Sequence, residues 1–192
     1  MIIAIDPGIN GTGLAFFSGR GELLRAEYAR CPLKADADIL ARCVAMGREV
    51  SARYDLARSA HPLESGPTRI VAEWPRVYEA GKAKRGADPN DLLPLAGVDA
   101  AAAAFIGCDA TSVAPRDWKG TMGDMPDGSY LPETRIMGDS RGEGGSLSIV
   151  ERARVILPSA ASLAHNVIDS VGIGLHAVGR SLVADRERVI AR

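Results

Sequence analysis

The sequence predicts an α/β fold in which a mixed five-stranded sheet is flanked by helices. Two observations support this fold class. Short apolar runs bounded by turn residues are typical of strands, and longer stretches with apolar residues at helical spacing are typical of amphipathic helices. These segments follow the order β-β-β-α-β-α-β-α-α, with strands and helices alternating in the second half.

In the first half of the chain, residues 2–5 form a short apolar run that predicts a buried strand. Residues 12–17 (TGLAFF) and 22–30 (ELLRAEYAR) predict two more strands, joined by a glycine-rich turn, so the chain begins as an antiparallel meander. Residues 36–58 place apolar side chains near helical spacing and predict a long amphipathic helix. Residues 69–75 (RIVAEWP) predict a compact strand that ends at a proline.

In the second half, residues 89–107 predict a helix crowded with small side chains, and residues 110–118 predict a strand followed by a short helix. Residues 120–145 are rich in Gly, Pro, Asp and Ser without any period, which predicts a mobile loop. Residues 146–158 and 165–183 predict two closing helices.

The composition indicates one cytoplasmic domain that spans residues 1–192, with 46% hydrophobic residues, 24% charged residues and a net charge of -1. This charge balance argues against coating of nucleic acid by bulk charge. The three cysteines lack CxxC spacing, so we expect neither a disulfide framework nor a zinc site. The start of the chain does not resemble a signal peptide, and the longest apolar stretch is too short to span a bilayer.

Acidic residues follow two of the predicted strands. Asp6 ends the first strand and Glu73 lies at the end of the strand 69–75, and the carboxyl ends of neighbouring parallel strands form the edge where α/β sheets bind ligands. The last helix carries Asp169, with His165 four residues before it on the same face and Asn166 three residues before it. Docked over this edge, the helix would complete a cluster of Asp6, Glu73, His165 and Asp169.

Such a cluster has the chemistry of a metal-dependent hydrolytic site. Carboxylate oxygens suit Mg²⁺ or Mn²⁺ rather than zinc, and two such ions about 4 Å apart activate water and stabilise the leaving oxygen of a phosphodiester. A neutral His165 would ligate a metal or move the proton of the attacking water. Taken singly, Asp6 is also an ordinary turn residue and His165 an ordinary helix histidine, so the joint placement carries the prediction.

The glycines after Asp6 have two interpretations. A phosphate cradle of the P-loop or dinucleotide type requires a helix directly after the loop, but residues 14–21 continue as strand and turn. We therefore expect Gly8, Gly11 and Gly13 to leave room for a polyanion beside Asp6.

Four segments together resemble the RuvC family of Holliday-junction resolvases, and more closely its relatives carried by bacteriophages. They are IIAIDPGINGTGLAFF, RIVAEWP, VAPRDWKGTM and HNVIDSVGIGLHA, which occur in family order over nearly the whole chain. The resemblance implies a ribonuclease H-like fold of the retroviral integrase superfamily and a homodimer. It also implies a hydrolase of DNA recombination and repair that nicks four-way junctions symmetrically with Mg²⁺, or Mn²⁺ in its place, in the cytoplasm of a bacterial host if a phage encodes it.

The resemblance also implies roles for individual residues. Asp6, Glu73 and Asp169 match the family's catalytic acids. The family carries an acid or histidine three residues before the last acid, where this chain has Asn166. Either His165 or Asn166 fills that place, and we favour His165.

Local charge predicts where DNA binds. Three cations follow Glu73 on a loop, and two more follow the strand within 110–118, on the edge where phosphates would be held. Two aromatic residues near Glu73 would stack on unpaired bases, although a solvated loop and a core tryptophan are the alternatives. The predicted DNA-binding residues are Trp74, Tyr78, Lys82, Lys84, Arg85, Arg116 and Lys119.

The approximate two-fold symmetry of a junction favours a dimer with two sites. The small-residue segment AGVDAAAAAF would form that interface or pack on the sheet. The predicted function is therefore resolution of four-way junctions, and the alternative within the fold is a broader nuclease that cuts forks, flaps or bubbles. A sugar kinase or actin-like ATPase would need about twice the chain, and a junction-binding module without activity would not need three acids.

Overall fold

A computed structural model of the chain describes residues 1–63, 66–74, 89–119, 131–138 and 144–180. The strands are β1 (Ile2–Asp6), β2 (Gly11–Phe17), β3 (Leu23–Arg30), β4 (Arg69–Glu73) and β5 (Asp109–Val113). The helices are α1 (Ile39–Ala60), α2 (Pro89–Ile106), α3 (Pro115–Lys119), α4 (Leu131–Met137), α5 (Ile149–Arg152) and α6 (Ala161–Ala177).

The five strands form one mixed sheet in the order β3-β2-β1-β4-β5. The first three strands pair as an antiparallel meander, and β4 and β5 add to β1 in parallel. The predicted mixed five-stranded sheet is therefore confirmed. Because β1, β4 and β5 run in the same direction, their carboxyl ends lie at one edge.

Alternation along the strands divides the core between the two faces of the sheet. Ile3 and Ile5 of β1 point to one face and pack in the core that α1 and α2 cover. Ala4 points to the other face, where Val71 of β4 packs with Val167 and Ile168 of α6. The residue that follows Ile5 in β1 therefore faces α6.

Small residues let α1 and α2 approach closely. A Cβ on Gly47 of α1 would lie 2.5 Å from the Cβ of Ala101 of α2, which no packing tolerates. The Sγ atom of Cys43 packs in the same way against Gly97. The helix expected at a dimer interface or on the sheet thus places these small residues against α1.

Two predictions of local structure were wrong in part. Residues 120–145 were expected to form a loop, but they contain α4, whose Ile136 is fully buried against α6. Tertiary packing of Ile136, with Met137 beside the same core, stabilises this seven-residue helix. Ile136 is the one fully buried position among its described side chains, which gives no period in the sequence. Within the described residues, no helix is long and apolar enough to cross a membrane.

The segment 146–158 was expected to be a helix but contains only the single turn of α5. A capping box between Ser148 and Glu151 starts this turn. Beyond it, the backbone pairs with β3, because Ala26 donates to the Arg154 carbonyl at 3.0 Å and accepts from the Ile156 N–H at 2.8 Å. Backbone pairing with β3 therefore takes the place of further helical turns after α5.

Candidate active site

Strand register places the first two predicted acids side by side. Ile5 of β1 pairs with Ala72 of β4, so Asp6 and Glu73 occupy the next row of the sheet at its carboxyl edge. Both residues continue the alternation of Ala4 and Val71 and therefore face α6. Both are partly buried.

Helix α6 brings the third acid to this edge. A Cβ on Gly13 of β2 would lie 1.8 Å from the backbone carbonyl oxygen of Asn166, so only glycine lets the helix rest on the strand here. Asp169, one turn further along α6, is buried with 8% of its surface exposed. Gly13 itself pairs with Asp6 across the sheet. Gly13 therefore lets α6 pack closely against β2, in addition to any space that the neighbouring glycines leave for a ligand.

A lysine lies among these acids. The Nζ atom of Lys119, at the end of α3, is 2.7 Å from Oδ2 of Asp169 and 3.8 Å from Oε2 of Glu73. It also lies 4.6 Å from the centre of the Trp118 ring, within reach of a cation–π contact. Lys119 was expected to contact DNA phosphates, and the structure places it as the counter-charge of two carboxylates.

Trp118 fixes the orientation of Glu73. Its indole Nε1 donates a hydrogen bond of 2.7 Å to Oε2 of Glu73, and the side chain is 99% buried. The ring packs where a side chain on Gly172 of α6 would otherwise lie. Sequence reasoning missed this role, because it depends on how α3 packs against α6.

The charges of the cluster are not balanced. Burial raises the pKa of Asp6 well above its usual range, and the charges of Asp169 and Glu73 raise it further, while Lys119 acts against them. Burial likewise raises the pKa of Glu73, against the opposing effects of Lys119 and Trp118. Burial alone would lower the pKa of Lys119, but its carboxylate neighbours raise it. One ammonium group therefore serves three acids.

Sequence reasoning also missed a fourth acid close to the site. Asp99 lies on α2, and its buried Oδ1 has no hydrogen-bond partner among the described residues. Burial raises the pKa of Asp99 well above its usual range, and its charge raises the pKa of Asp6. An acid next to the alanine run of an apolar helix was the signal, because an unpaired carboxylate is costly to bury.

The donor chemistry of the cluster fits a hard divalent cation. Asp6, Glu73 and Asp169 offer carboxylate oxygens, which Mg²⁺ and Mn²⁺ prefer. As they stand, no three acid, histidine or cysteine side chains in the described ranges converge closely enough to hold a metal ion. The ammonium group of Lys119 instead supplies the positive charge between Glu73 and Asp169.

The two candidates for the fourth position lie on the first turns of α6. His165 is exposed, one turn before Asp169, and Asn166 is half-buried with its carbonyl against Gly13. The choice between His165 and Asn166 remains a prediction.

The structure describes only part of the predicted DNA-binding set. Trp74 follows Glu73 directly and is 53% exposed, and its N–H donates to the Val113 carbonyl at 2.8 Å. Arg116 belongs to α3, but its side chain is not described. Four other predicted residues lie outside the described ranges, namely Tyr78, Lys82, Lys84 and Arg85.

Comparison with known proteins identifies this architecture. No protein-family model and no curated protein matches the sequence. Among solved structures, the chain is similar to Thermus thermophilus RuvC in complex with a Holliday junction substrate, with 16% identity, 93% of each chain covered and a TM-score of 0.55. It is similar to another T. thermophilus RuvC structure with 16% identity, 93% of this chain and 94% of that chain covered and a TM-score of 0.50. The chain therefore has the ribonuclease H-like fold of RuvC, as predicted.

Proposed function

We propose that the protein is a metal-dependent endonuclease that resolves four-way DNA junctions by paired, symmetric nicks. The observation that carries this proposal is the trio of Asp6, Glu73 and Asp169, which lies at the carboxyl edge of a RuvC-type sheet with too little positive charge around it. The similarity to a RuvC structure that contains a Holliday junction substrate supports the choice of DNA.

Each residue of the cluster has a role in this proposal. Asp6, Glu73 and Asp169 would hold Mg²⁺ or Mn²⁺, two ions per site, and these ions supply activation of water and stabilisation of the leaving oxygen when bound. Trp118 holds the Glu73 carboxylate in one orientation through its 2.7 Å hydrogen bond. Lys119 lowers the pKa of Asp6 and Glu73, which favours the ionised carboxylates that a cation requires.

A proton must leave the attacking water, and α6 offers the acceptor. We assign this step to His165, which lies one turn before Asp169 and whose imidazole is the side chain that most often transfers protons in active sites. In the alternative, Asn166 completes the ligand set with its amide oxygen.

Symmetric cutting requires two sites related by a two-fold axis, so we propose a homodimer of single-domain chains that acts in the cytoplasm. Trp74 would stack on a base at the opened centre of the junction, because half of its surface is exposed directly beside Glu73. The loop cations Lys82, Lys84 and Arg85, with Tyr78 and Arg116, would extend the contact with DNA.

The decisive experiment is cleavage of a synthetic four-way junction beside a fork and a linear duplex of the same sequence. The reactions contain Mg²⁺, Mn²⁺ or a chelator, and Asp6→Asn is the control variant. We expect paired nicks at symmetric positions in the junction alone, lost with the chelator and with the variant. Equal cutting of the fork would identify the broader branched-DNA nuclease. Junction binding without cleavage in either metal would contradict a nuclease.

A further inference from the structure

We propose that a basic cleft next to the acid cluster binds the phosphodiester backbone of the DNA strand that enters the site. The cleft has a volume of about 700 Å³, and its walls include Asn10, Tyr28, Arg30, Lys34 and Leu163. We call it the Arg30 cleft. The inference rests on the proposed function, because it identifies where the substrate strand of that nuclease lies.

Strand register fixes the distance between the Arg30 cleft and the acids. Asp6 pairs with Gly13, and Gly13 pairs with Tyr28, so the three residues form one row across β1, β2 and β3. Neighbouring strands lie about 4.8 Å apart, which puts the backbone of Tyr28 about 10 Å from that of Asp6. Asn10 follows Asp6 on the same turn, and Leu163 lies on the first turn of α6. The cleft and the acids therefore share one rim.

The charge of the Arg30 cleft is positive. Arg30 and Lys34 are exposed, and neither forms an ion pair with an acid in the described part of the chain. None of the described residues that line the cleft is acidic. Burial raises the pKa of the Tyr28 hydroxyl while the charge of Arg30 acts against it, so the guanidinium field reaches this hydroxyl. Phosphate is the ligand that such a surface favours.

A buried arginine supports the wall of this cleft. Arg42 of α1 is 94% buried, and it donates to the Ala35 carbonyl at 3.1 Å and to Oδ1 of Asn10. Both acceptors line the cleft, and the Nε atom of Arg42 has no partner among the described residues. No carboxylate in those residues pairs with Arg42, so its charge adds to the potential of the cleft instead of being cancelled.

The same contacts make the cleft rigid. Arg42 joins the turn at Asn10 to the segment after β3, and the Cys31 N–H donates to the Asn10 carbonyl at 3.0 Å. A preformed anion site binds more tightly than one that must be ordered on binding. Of the two nearby loop acids, Asp38 caps α1 by accepting from the Ala41 N–H at 2.9 Å, and neither Asp36 nor Asp38 lines the cleft.

Distance and shape favour a continuous strand over a free anion. A separation of about 10 Å corresponds to about three base steps at 3.4 Å each. Leu33 and Leu163 add apolar walls that suit sugars and bases better than an isolated phosphate ion. We therefore expect the cleft to hold the phosphate about three nucleotides from the one that is cut.

The first test measures binding of a fluorescent four-way junction in the presence of a chelator, so that the readout does not depend on cleavage. The test variant is Arg30→Ala/Lys34→Ala, and the matched control is Arg20→Ala/Arg48→Ala, which removes the same charge from other exposed positions. We expect at least tenfold weaker binding by the test variant, with a salt slope shallower by about one for each lost phosphate contact. Equal losses in both variants, or in neither, would overturn the proposal.

The second test locates the contact on the DNA. A single methylphosphonate, which removes one phosphate charge, is moved along the strand that is cut. We expect it to weaken binding of the wild type when it lies two to four nucleotides from the cut, and to have no effect there on Arg30→Ala/Lys34→Ala. Equal sensitivity of both proteins would overturn the proposal. Competition by inorganic phosphate without any methylphosphonate effect would also overturn it and identify a free-anion site.

These tests separate the cleft from the nuclease. A protein that binds the junction through Arg30 and Lys34 but never cuts DNA contradicts the proposed nuclease and supports the cleft. A protein that cuts the junction, but binds it equally well after both substitutions, supports the nuclease and overturns the cleft.

Discussion

The carboxylate of Glu151 and the acid cluster of Asp6, Glu73 and Asp169 have opposite electrostatic surroundings. Glu151 is 96% buried, and its carboxylate accepts hydrogen bonds from the Leu23 N–H at 2.9 Å and from both the N–H and the hydroxyl of Ser148. Arg180 adds a two-pronged ion pair at 2.5 and 3.0 Å. Burial alone would raise the pKa of Glu151, but these bonds outweigh it and lower that pKa to about 2.

The acid cluster has the reverse balance. Asp6, Glu73 and Asp169 share one lysine, and the pKa values of Asp6 and Glu73 are raised. A carboxylate whose oxygens are all hydrogen-bonded or ion-paired stabilises the fold and cannot bind a further ligand. Carboxylates with too few cationic partners retain affinity for a cation. We therefore assign a structural role to Glu151 and a cation-binding role to the acid cluster.

The largest effect should follow from Asp6→Asn. We expect junction cleavage to fall by a factor on the order of 10³ or more, because a charge that acts in the transition state is lost. Thermal stability should rise, because one of three repelling carboxylates becomes neutral. This gain should be absent well below the ordinary pKa of 3.8, where Asp6 is protonated in both the folded and the unfolded state. It should grow as the pH rises from 3.8 towards the raised pKa of the folded state.

Nicking assays and thermal unfolding between pH 4 and pH 8 measure both effects. A melting temperature of Asp6→Asn that stays at or below that of the wild type up to pH 8 would contradict the repulsion within the cluster.

Glu151→Gln should have the opposite effect on stability, because this variant should be less stable than the wild type at neutral pH. A pKa lowered from 4.5 to about 2 corresponds to about 3 kcal/mol of stability at neutral pH. The difference from wild type in the free energy of unfolding should be complete above pH 4.5 and should vanish as the pH falls towards 2. Cleavage should persist at temperatures at which the variant is folded. Chemical denaturation at several pH values measures it. Glu22→Gln is the matched control, since its ion pair with Arg154 is exposed and worth less than about 1 kcal/mol.

Lys119→Ala should increase the excess of negative charge in the acid cluster. Loss of the ammonium group removes the interaction that lowers the pKa of Asp6 and Glu73, so the pH at which cleavage is half-maximal should move upward. Single-turnover cleavage at saturating junction between pH 5 and pH 9 measures this midpoint. Lys119→Arg keeps the charge and should keep the midpoint near that of wild type. An unchanged midpoint in Lys119→Ala would show that this charge does not act on the acids.

The smallest effect should follow from Asp99→Ala. Removal of a buried carboxylate whose Oδ1 is unpaired in the described structure should stabilise the fold by about 1 kcal/mol. It should also move the pH midpoint of cleavage slightly downward, because Asp99 raises the pKa of Asp6. Denaturant titration and the same single-turnover assay measure the two effects. Asp55→Ala, an exposed acid on α1, should change neither.

The sheet and two of its acids were predictable because their signals are local. Asp6 and Glu73 directly follow apolar strand segments, and the carboxyl ends of parallel strands share one edge whatever their register. Lys119 and Trp118 were not assignable, because their position depends on how α3 packs against Gly172 of α6. No pattern within residues 110–119 records that distant contact.

The same distinction explains the two local errors. Helix α4 depends on the burial of Ile136, and the end of α5 depends on pairing with Ala26, so both follow from partners far away in the sequence. Asp99 differs, because an acid among alanines was visible and only its proximity to Asp6 required the fold.

The contact between Gly13 and the carbonyl of Asn166 has a consequence for how such chains diverge. A mutation that adds even one methyl group at residue 13 pushes away the helix that carries Asp169, so the first and last segments of the gene cannot drift independently. Lineages that keep the acids must keep a glycine here, or acquire a compensating shift of α6 at the same time. Gly13 of β2 and the final helix are therefore inherited as one unit, although most of the chain separates them.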